Sequence, residues 1–534
     1  MKTKRKRNPG ITPFVVIALI IVTPLLLISS CDYDYLDGLG EIEVPSIEPV
    51  FAVPLVNSTL KVNNIFNEDD FTSINVDEEG LVTIIYSGEV FSLPASSIFQ
   101  VEDQHQTITY NNITPGSGGA VELPPKLFLV TFENSEILTY ISFLEGTFNV
   151  TVYAPELQQD GYNLEATFRI LNSFDSNNQP FSGQVNLYEP SHSDLTGGRI
   201  EFDNESNFFM VEYIITISGD GNPQNAPYTI EFINTMDNIR FDLAKGYIDQ
   251  INFPIGNIAI PINMFSNAKV GSIMFEDPSI DFTMLNSFGT DIDINIMEFY
   301  ATTIDDETIQ ISGEGVDSPW RAAAPGSHEE VSQKSYMVLD PDNTNLFEIT
   351  EQSPVEFYYN VRGLTNPDGT MLATNWIKHD SNLSINMEMN LPLWGRIDYL
   401  LLEDTTTIAL GNMPDELEWV ELKMNIANGF PLDLYLNVIL LDENNQHLDT
   451  LFNAQPKLFE AAQVDPATSI VTQPGRSTLL EMIDDQKTWN LRNASKLFIE
   501  ASLNTYDHEA GTTVKILDTY EIGLERGLRA KTIL

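Results

Sequence analysis

Asn286-Ser287-Phe288-Gly289-Thr290-Asp291-Ile292-Asp293-Ile294-Asn295-Ile296 is matched further along the chain by Asn428-Gly429-Phe430-Pro431-Leu432-Asp433-Leu434-Tyr435-Leu436-Asn437-Val438. Asn, Phe, Asp and Asn recur at the same spacing, and the second half of each stretch alternates apolar and polar residues. Alternation at period two marks a half-buried antiparallel strand. Asn and Asp accept local backbone hydrogen bonds and tolerate turn geometry, so the first half reads as a tight strand connection with its Phe folded over a core. The stretch predicts strand, turn, strand, twice over.

The register extends outward from this motif. Phe132-Glu133-Asn134-Ser135-Glu136-Ile137 matches Phe275-Glu276-Asp277-Pro278-Ser279-Ile280, with Leu417-Glu418 to Leu422 at the third equivalent position. Ser142-Phe143 through Asn149-Val150 is a looser counterpart of the Asn-x-Phe-x-x-Asp motif. Val211-Glu212-Tyr213, Gly219 and Asn222-Pro223 return 144 residues later as Val355-Glu356-Phe357, Gly363 and Asn366-Pro367, and Ile499-Glu500-Ala501 keeps the first of these landmarks. Gly246-Tyr247-Ile248-Asp249 returns as Gly395-Arg396-Ile397-Asp398, with a degraded trace at Gly527-Leu528. Ordered landmarks at a fixed period point to repeated supersecondary units.

The reading is an all-β protein of three tandem related β-sandwich (Ig-like) domains of about 143 residues, at 126–267, 268–410 and 411–534, after a small N-terminal β-region. That region, 51–125, has strands of its own, such as Leu81 to Tyr86 and Val90 to Leu93, and a Gly-rich linker at Pro115 to Gly119. It reads either as a small domain or as strands completing the first sandwich. Helix signals are few, the best being Ser477 to Gln486 and Pro456 to Gln463. The Asn turn is similar to that of sandwich domains of the late-embryogenesis-abundant, water-stress type, and no function is carried across from them.

Composition restricts the partners. The chain has 27 basic and 77 acidic residues, a net charge of −50. Such a chain repels nucleic acid and anionic surfaces, which excludes nucleic-acid binding. Its only cysteine, Cys31, follows a basic start (Lys2, Lys4, Arg5, Lys6, Arg7), an apolar run from Ile11 to Ile28 and Ser29-Ser30. Pro13 and Pro24 interrupt the run, which favours a removable signal over a permanent span. Leu27-Ile28-Ser29-Ser30-Cys31 resembles the lipobox of bacterial lipoprotein signal peptides. The resemblance implies a signal peptide over 1–30 and a covalent lipid on Cys31. The acidic stretch Asp32-Tyr33-Asp34-Tyr35-Leu36-Asp37, within a tether over 31–50, is similar to that of surface-exported lipoproteins of the Bacteroidota, which implies outer-membrane anchoring with surface display, the periplasmic face being the alternative. With Cys31 lipidated, no thiol remains for a disulfide or a thiolate metal site, and stability must come from core burial.

Candidate chemistry is sparse. Six histidines (105, 192, 328, 379, 447, 508) stand singly, without zinc-site spacing, and no Gly-x-Ser-x-Gly elbow or phosphate loop occurs. Carboxylates are so numerous that no pair stands out as a glycosidase dyad. Asp340-Pro341-Asp342-Asn343 is a weak calcium candidate against an ordinary Asx turn. Trp320 and Trp376, each read as lying on a long loop, are the candidate ligand contacts, while Trp394 and Trp419 are expected in the core. No catalytic residue and no cofactor besides the lipid are expected. The functional expectation is a non-enzymatic binding, adhesion or structural module of the cell envelope, held to the membrane by its lipid and facing an unidentified protein or glycan. The alternatives are an accessory subunit of an outer-membrane transport or secretion complex and, behind it, a glycan-active hydrolase.

Overall fold

The computed structural model describes residues 50–61, 72–115, 120–131, 137–202, 207–262, 268–303, 305–369, 375–408, 417–452 and 455–532. Cys31, the signal peptide and the tether up to Pro49 lie outside the described residues, as do most of the 115–119 linker and Phe132 to Glu136. The protein is almost all β, built from antiparallel sheets stacked in pairs.

The alternating stretches form the strands they predict. In Ser279–Asn286 every second side chain is buried, and Phe208–Ser218 does the same over eleven residues. Each buried stripe meets the stripe of a facing sheet. In the first sandwich, strands Ile137–Tyr153 and Tyr228–Tyr247 face Asn163–Ile170 and Phe208–Ser218. Phe148 lies 5.7 Å from Phe168, and Tyr213 lies 4.1 Å from Phe232, between ring centres across that interface. In the second, Ser279–Asn286 and Asn382–Pro392 face Ile292–Thr303 and Pro354–Thr365, with Phe282 against Trp320 at 4.7 Å. In the third, Leu417–Asn428, Gly475–Ile483 and Glu521–Thr532 face Leu432–Leu441 and Lys496–Thr505, with Phe430 edge-on to Tyr520.

The strands before residue 114 are shared out in reverse order. β1 (Val50–Lys61) pairs with the C-terminal strand Glu521–Thr532 in the third sandwich. β2 (Thr72–Val76) pairs with β3 (Val82–Pro94), and β3 lies along Asn382–Pro392 in the second. β4 (Gln104–Ile113) pairs with Tyr228–Tyr247 in the first. The chain therefore runs from the third sandwich to the first and back again. These strands contribute to all three sandwiches, where either sequence reading confined them to one place.

A second exchange offsets the sandwiches from the sequence copies. Asn252–Pro261 lies within 126–267 but pairs with Pro354–Thr365 of the second sandwich. Trp394–Thr407 lies within 268–410 but pairs with Lys496–Thr505 of the third. Both handovers are tied the same way. Thr365 Oγ1 accepts from the Ile251 N–H at 2.9 Å and donates to Asp249 O, while Thr505 Oγ1 accepts from the Ile397 N–H at 3.2 Å. Boundaries at 267 and 410 thus cut across strand pairing.

The helix expectations need correction. Residues 477–483 belong to strand Gly475–Ile483, and the helix begins after it, at Asp485–Asn493, where Asp484 accepts from the Lys487 N–H as an N-cap. Residues 457–459 form a short strand instead of a helix. Period-two burial of Leu479, Glu481 and Ile483 against the facing sheet prevails over the local helix signal.

Candidate functional site

The quoted motif builds a corner. Asn286 is fully buried, and its side-chain N–H groups donate to Thr290 O and Ala322 O, both at 3.0 Å, while its Oδ1 accepts from the Phe288 N–H at 2.9 Å. Asn428 repeats the set, donating to Leu432 O and Glu460 O at 2.9 Å and accepting from the Phe430 N–H. Asp291 accepts from the Ala324 N–H and Asp433 from the Ala461 N–H, each at 2.7 Å. Phe288 and Phe430 are buried beneath the corners.

Beside the Asn286 corner opens a polar cleft of about 270 Å³. Its walls are the corner itself (Gly289 to Asp291), the loop Ala324 to Gly326, the Asn366-Pro367-Asp368 turn and Asn375-Trp376. The last pair opens the strand Asn375–Lys378, which pairs with Leu243 to Gly246 of the first sandwich. Here two sequence landmarks touch: Asn366 Nδ2 donates to Ile248 O, and Gln250 Nε2 donates to Asn366 O and Pro367 O. The cleft therefore sits where the first sandwich meets the second.

Arg321 holds the outer wall together. Its Nε and Nη2 donate to the two oxygens of Asp293 at 2.8 and 3.2 Å, and Nη1 and Nη2 donate to Asp368 at 2.8 and 3.1 Å. These paired bonds, first those to Asp293, raise the guanidinium pKa above its ordinary value, so Arg321 stays charged at any physiological pH. Asp291 lies 3.7 Å away. In the third sandwich Lys457 occupies the corresponding place, 3.0 Å from Asp433 and over the Tyr435 ring, where Tyr435 stands in for Asp293. The Asp291 and Asp293 pair is thus an arginine cradle whose chemistry changes between copies.

The tryptophan expectations separate. Trp320 is core: it is 6% exposed, its Nε1 donates to Gly315 O at 2.8 Å, and its ring packs on Phe282. It lies on the strand Trp320–Ala322, which pairs with Ile292 to Ile294, so it has no free face for a ligand. Trp376 is equally covered but borders the cleft, with the His328 ring edge-on at 6.2 Å. A Cβ on Gly289 would lie 2.3 Å from the Trp376 ring, so only glycine lets the ring lie flat there. Trp394 and Trp419, expected in the core, are half-buried. The Asp340 loop closes on itself: Asp340 Oδ1 accepts from the Asp342 and Asn343 N–H groups, and Asn343 Nδ2 donates to Val338 O. Those oxygens hold an Asx turn, and among the described residues no group of three or more His, Cys, Asp or Glu side chains is placed to hold a metal ion.

Asn375 is the residue sequence reading missed. It is 6% exposed, and among the described residues its Nδ2 meets no hydrogen-bond partner, which leaves one buried donor in the cleft wall. Asp368 was also missed, although it directly follows the Asn366-Pro367 landmark.

No family model and no curated protein matches this chain. Among solved structures, a protein of Parabacteroides distasonis described as secreted is 9% identical and covers 90% of this chain and 99% of its own, at a TM-score of 0.24. The VP2 subviral particle protein of infectious bursal disease virus is 9% identical over 83% of each chain, at a TM-score of 0.16. Neither superposition is close enough for a neighbour's properties to pass to this chain. No helix among the described residues is long and apolar enough to cross a membrane.

Proposed function

We propose that this chain is a lipid-anchored protein of the cell envelope, displayed at the surface, that binds a hydroxyl-rich ligand such as a glycan without transforming it. The observation that carries the reading is the cleft beside Trp376, about 270 Å³ in volume and walled by polar groups. Within it the carboxylates of Asp291 and Asp368 are held by backbone N–H and by Arg321, an arrangement that favours fixed recognition over proton transfer. The free Asn375 N–H supplies a donor for a ligand oxygen, and Trp376 supplies an apolar flank. The leader ending at Cys31 supports export and anchoring, since two or more acyl chains hold a protein stably on a membrane.

The test is glycan-array screening of the purified full-length lipoprotein, followed by titration of the best ligand against Asn375→Ala and Asp368→Ala. Loss of one buried donor is expected to weaken binding by about tenfold. Binding unchanged in both variants would remove the cleft from recognition. Protease shaving of intact cells checks the placement: release of the chain fits surface display, and protection assigns it to the periplasmic face.

A further inference from the structure

The cleft beside Trp376 has an uneven charge balance. Asp291 and Asp368 line it, Asp293 shares Arg321 with Asp368, and Glu330 accepts from the Gly326 N–H of the wall loop at 3.1 Å. Four carboxylates stand against one guanidinium, so three formal negative charges have no counterpart. Lys245 pairs with Trp376 across the strands, its ammonium 5.3 Å from the centre of the Tyr140 ring, and His328, edge-on to Trp376, adds a positive charge only when protonated. Counting both, the site stays net negative.

Arg321 has little left to offer an anion. A guanidinium carries five N–H donors, and four of those on Arg321 go to Asp293 and Asp368. The nitrogen with the fifth lies 3.7 Å from Asp291. Acceptors, by contrast, are in surplus. Asp291 Oδ1 takes the Ala324 N–H, while Oδ2 accepts no hydrogen bond among the described residues, on a side chain 35% exposed. Asn375 is an independent feature of the same wall, a donor nine-tenths buried whose Nδ2 meets no partner among the described residues.

A ligand that answers these groups brings an ammonium to Asp291, a hydroxyl oxygen to the Asn375 N–H and a ring to the apolar flank of Trp376. At about 270 Å³ the cleft is just below the roughly 300–1,000 Å³ of sites that hold drug-sized molecules, which suits one sugar ring of a longer chain. We infer that the cleft selects a glycan with a free amine, an amino sugar that is not N-acylated, and rejects uronic and other acidic sugars. This inference rests on the glycan reading above and specifies its ligand. An acidic sugar sets its carboxylate against Asp291 and Asp368 with Arg321 already engaged, and an N-acetyl group brings no charge to Asp291 Oδ2.

The experiment titrates the purified full-length lipoprotein with oligomers of glucosamine, N-acetylglucosamine and galacturonic acid of equal length, and with tetralysine as a cation that is not a sugar. The glucosamine oligomer is expected to bind about tenfold tighter than its acetylated form, and the galacturonic acid oligomer not measurably. Asp291→Asn keeps an oxygen for the Ala324 N–H, so circular dichroism should be unchanged, and it is expected to abolish the tenfold preference while the acetylated oligomer binds as before. A preference that survives Asp291→Asn, or tetralysine binding as tightly as the glucosamine oligomer, would assign the attraction to the overall charge of −50 and overturn the inference. Equal binding of the two hexosamine oligomers, both weakened by Asn375→Ala, would overturn the charge selection and leave the glycan cleft standing. Sugars that fail to bind, or that bind Asn375→Ala as tightly as the unaltered chain, would overturn the glycan reading and this inference together.

Discussion

At the Asn-x-Phe-x-x-Asp stretch of the second and third sandwiches the chain leaves one sheet and joins the facing one within a few residues, whereas at the equivalent stretch of the first it stays in one sheet. Ser279–Asn286 and Ile292–Thr303 lie in opposite sheets, as do Leu417–Asn428 and Leu432–Leu441. The looser first counterpart, from Ser142 to Val150, lies inside a single strand of 17 residues, Ile137–Tyr153. At Gly146, where φ is 149°, that strand bulges and keeps its neighbour, with register shifts opposite Arg240 and Phe241. A corner breaks ladder hydrogen bonds, and a buried backbone must find replacements. Asn286 and Asn428 supply them, as donor and acceptor at once. Ser142, whose hydroxyl accepts from the Leu243 N–H at 3.2 Å, has too few atoms to do so.

The comparison can be broken most forcefully at the side chain the corner holds in place. Trp320→Ala should lose about 4 kcal/mol of stability in urea unfolding, because the ring is core packing beside the strand that Asn286 holds. A loss under about 1 kcal/mol would contradict that placement. Asn286→Ala and Asn428→Ala should each cost about 3 kcal/mol, since every substitution strands several buried backbone groups. Equal losses would sharpen the equivalence of the two corners, and a neutral Asn428→Ala would break it.

The first sandwich is expected to respond to acid instead. The Tyr228 hydroxyl, bonded at 2.6 Å, and Asn225 hold the Asp160 carboxyl below the usual carboxylate range. A lowered folded-state pKa gives stability that is present above the unfolded value and lost as pH falls through the folded one. Unfolding between pH 5 and about pH 2 should therefore show a loss that Asp160→Asn removes. Unchanged acid sensitivity in that variant would exclude the contribution. The smallest effect is expected at Ser142→Ala, under about 0.5 kcal/mol, because that strand keeps its ladder without the hydroxyl. A cost matching that of Asn286→Ala would mean that the first copy has a corner after all.

Much of this was legible in the residues. The period-two pattern located the strands, and Asn-x-Phe-x-x-Asp located both corners. Asn366-Pro367 and Gly246 to Asp249 stood out as landmarks with no sign that they touch each other. Trp320 and Trp376 looked alike, each in a polar, Pro- or Asn-flanked context, yet one is sealed between sheets and the other borders a cleft. Asn375 carried no local signal, because an unpaired donor exists only relative to the surfaces around it.

The sequence by itself determined the strand class, the turn chemistry and the absence of any thiol beyond Cys31, because alternation, Asn and Asp at turns, and cysteine count are local properties of the chain. Tertiary structure alone decided which strand joins which sheet. β1, β3 and β4 carry nothing in their residues that assigns them to the third, second and first sandwich, since any half-buried strand with an apolar face fits any free sheet edge of matching length. That choice brings the tether to the third sandwich and the cleft to the junction of the other two.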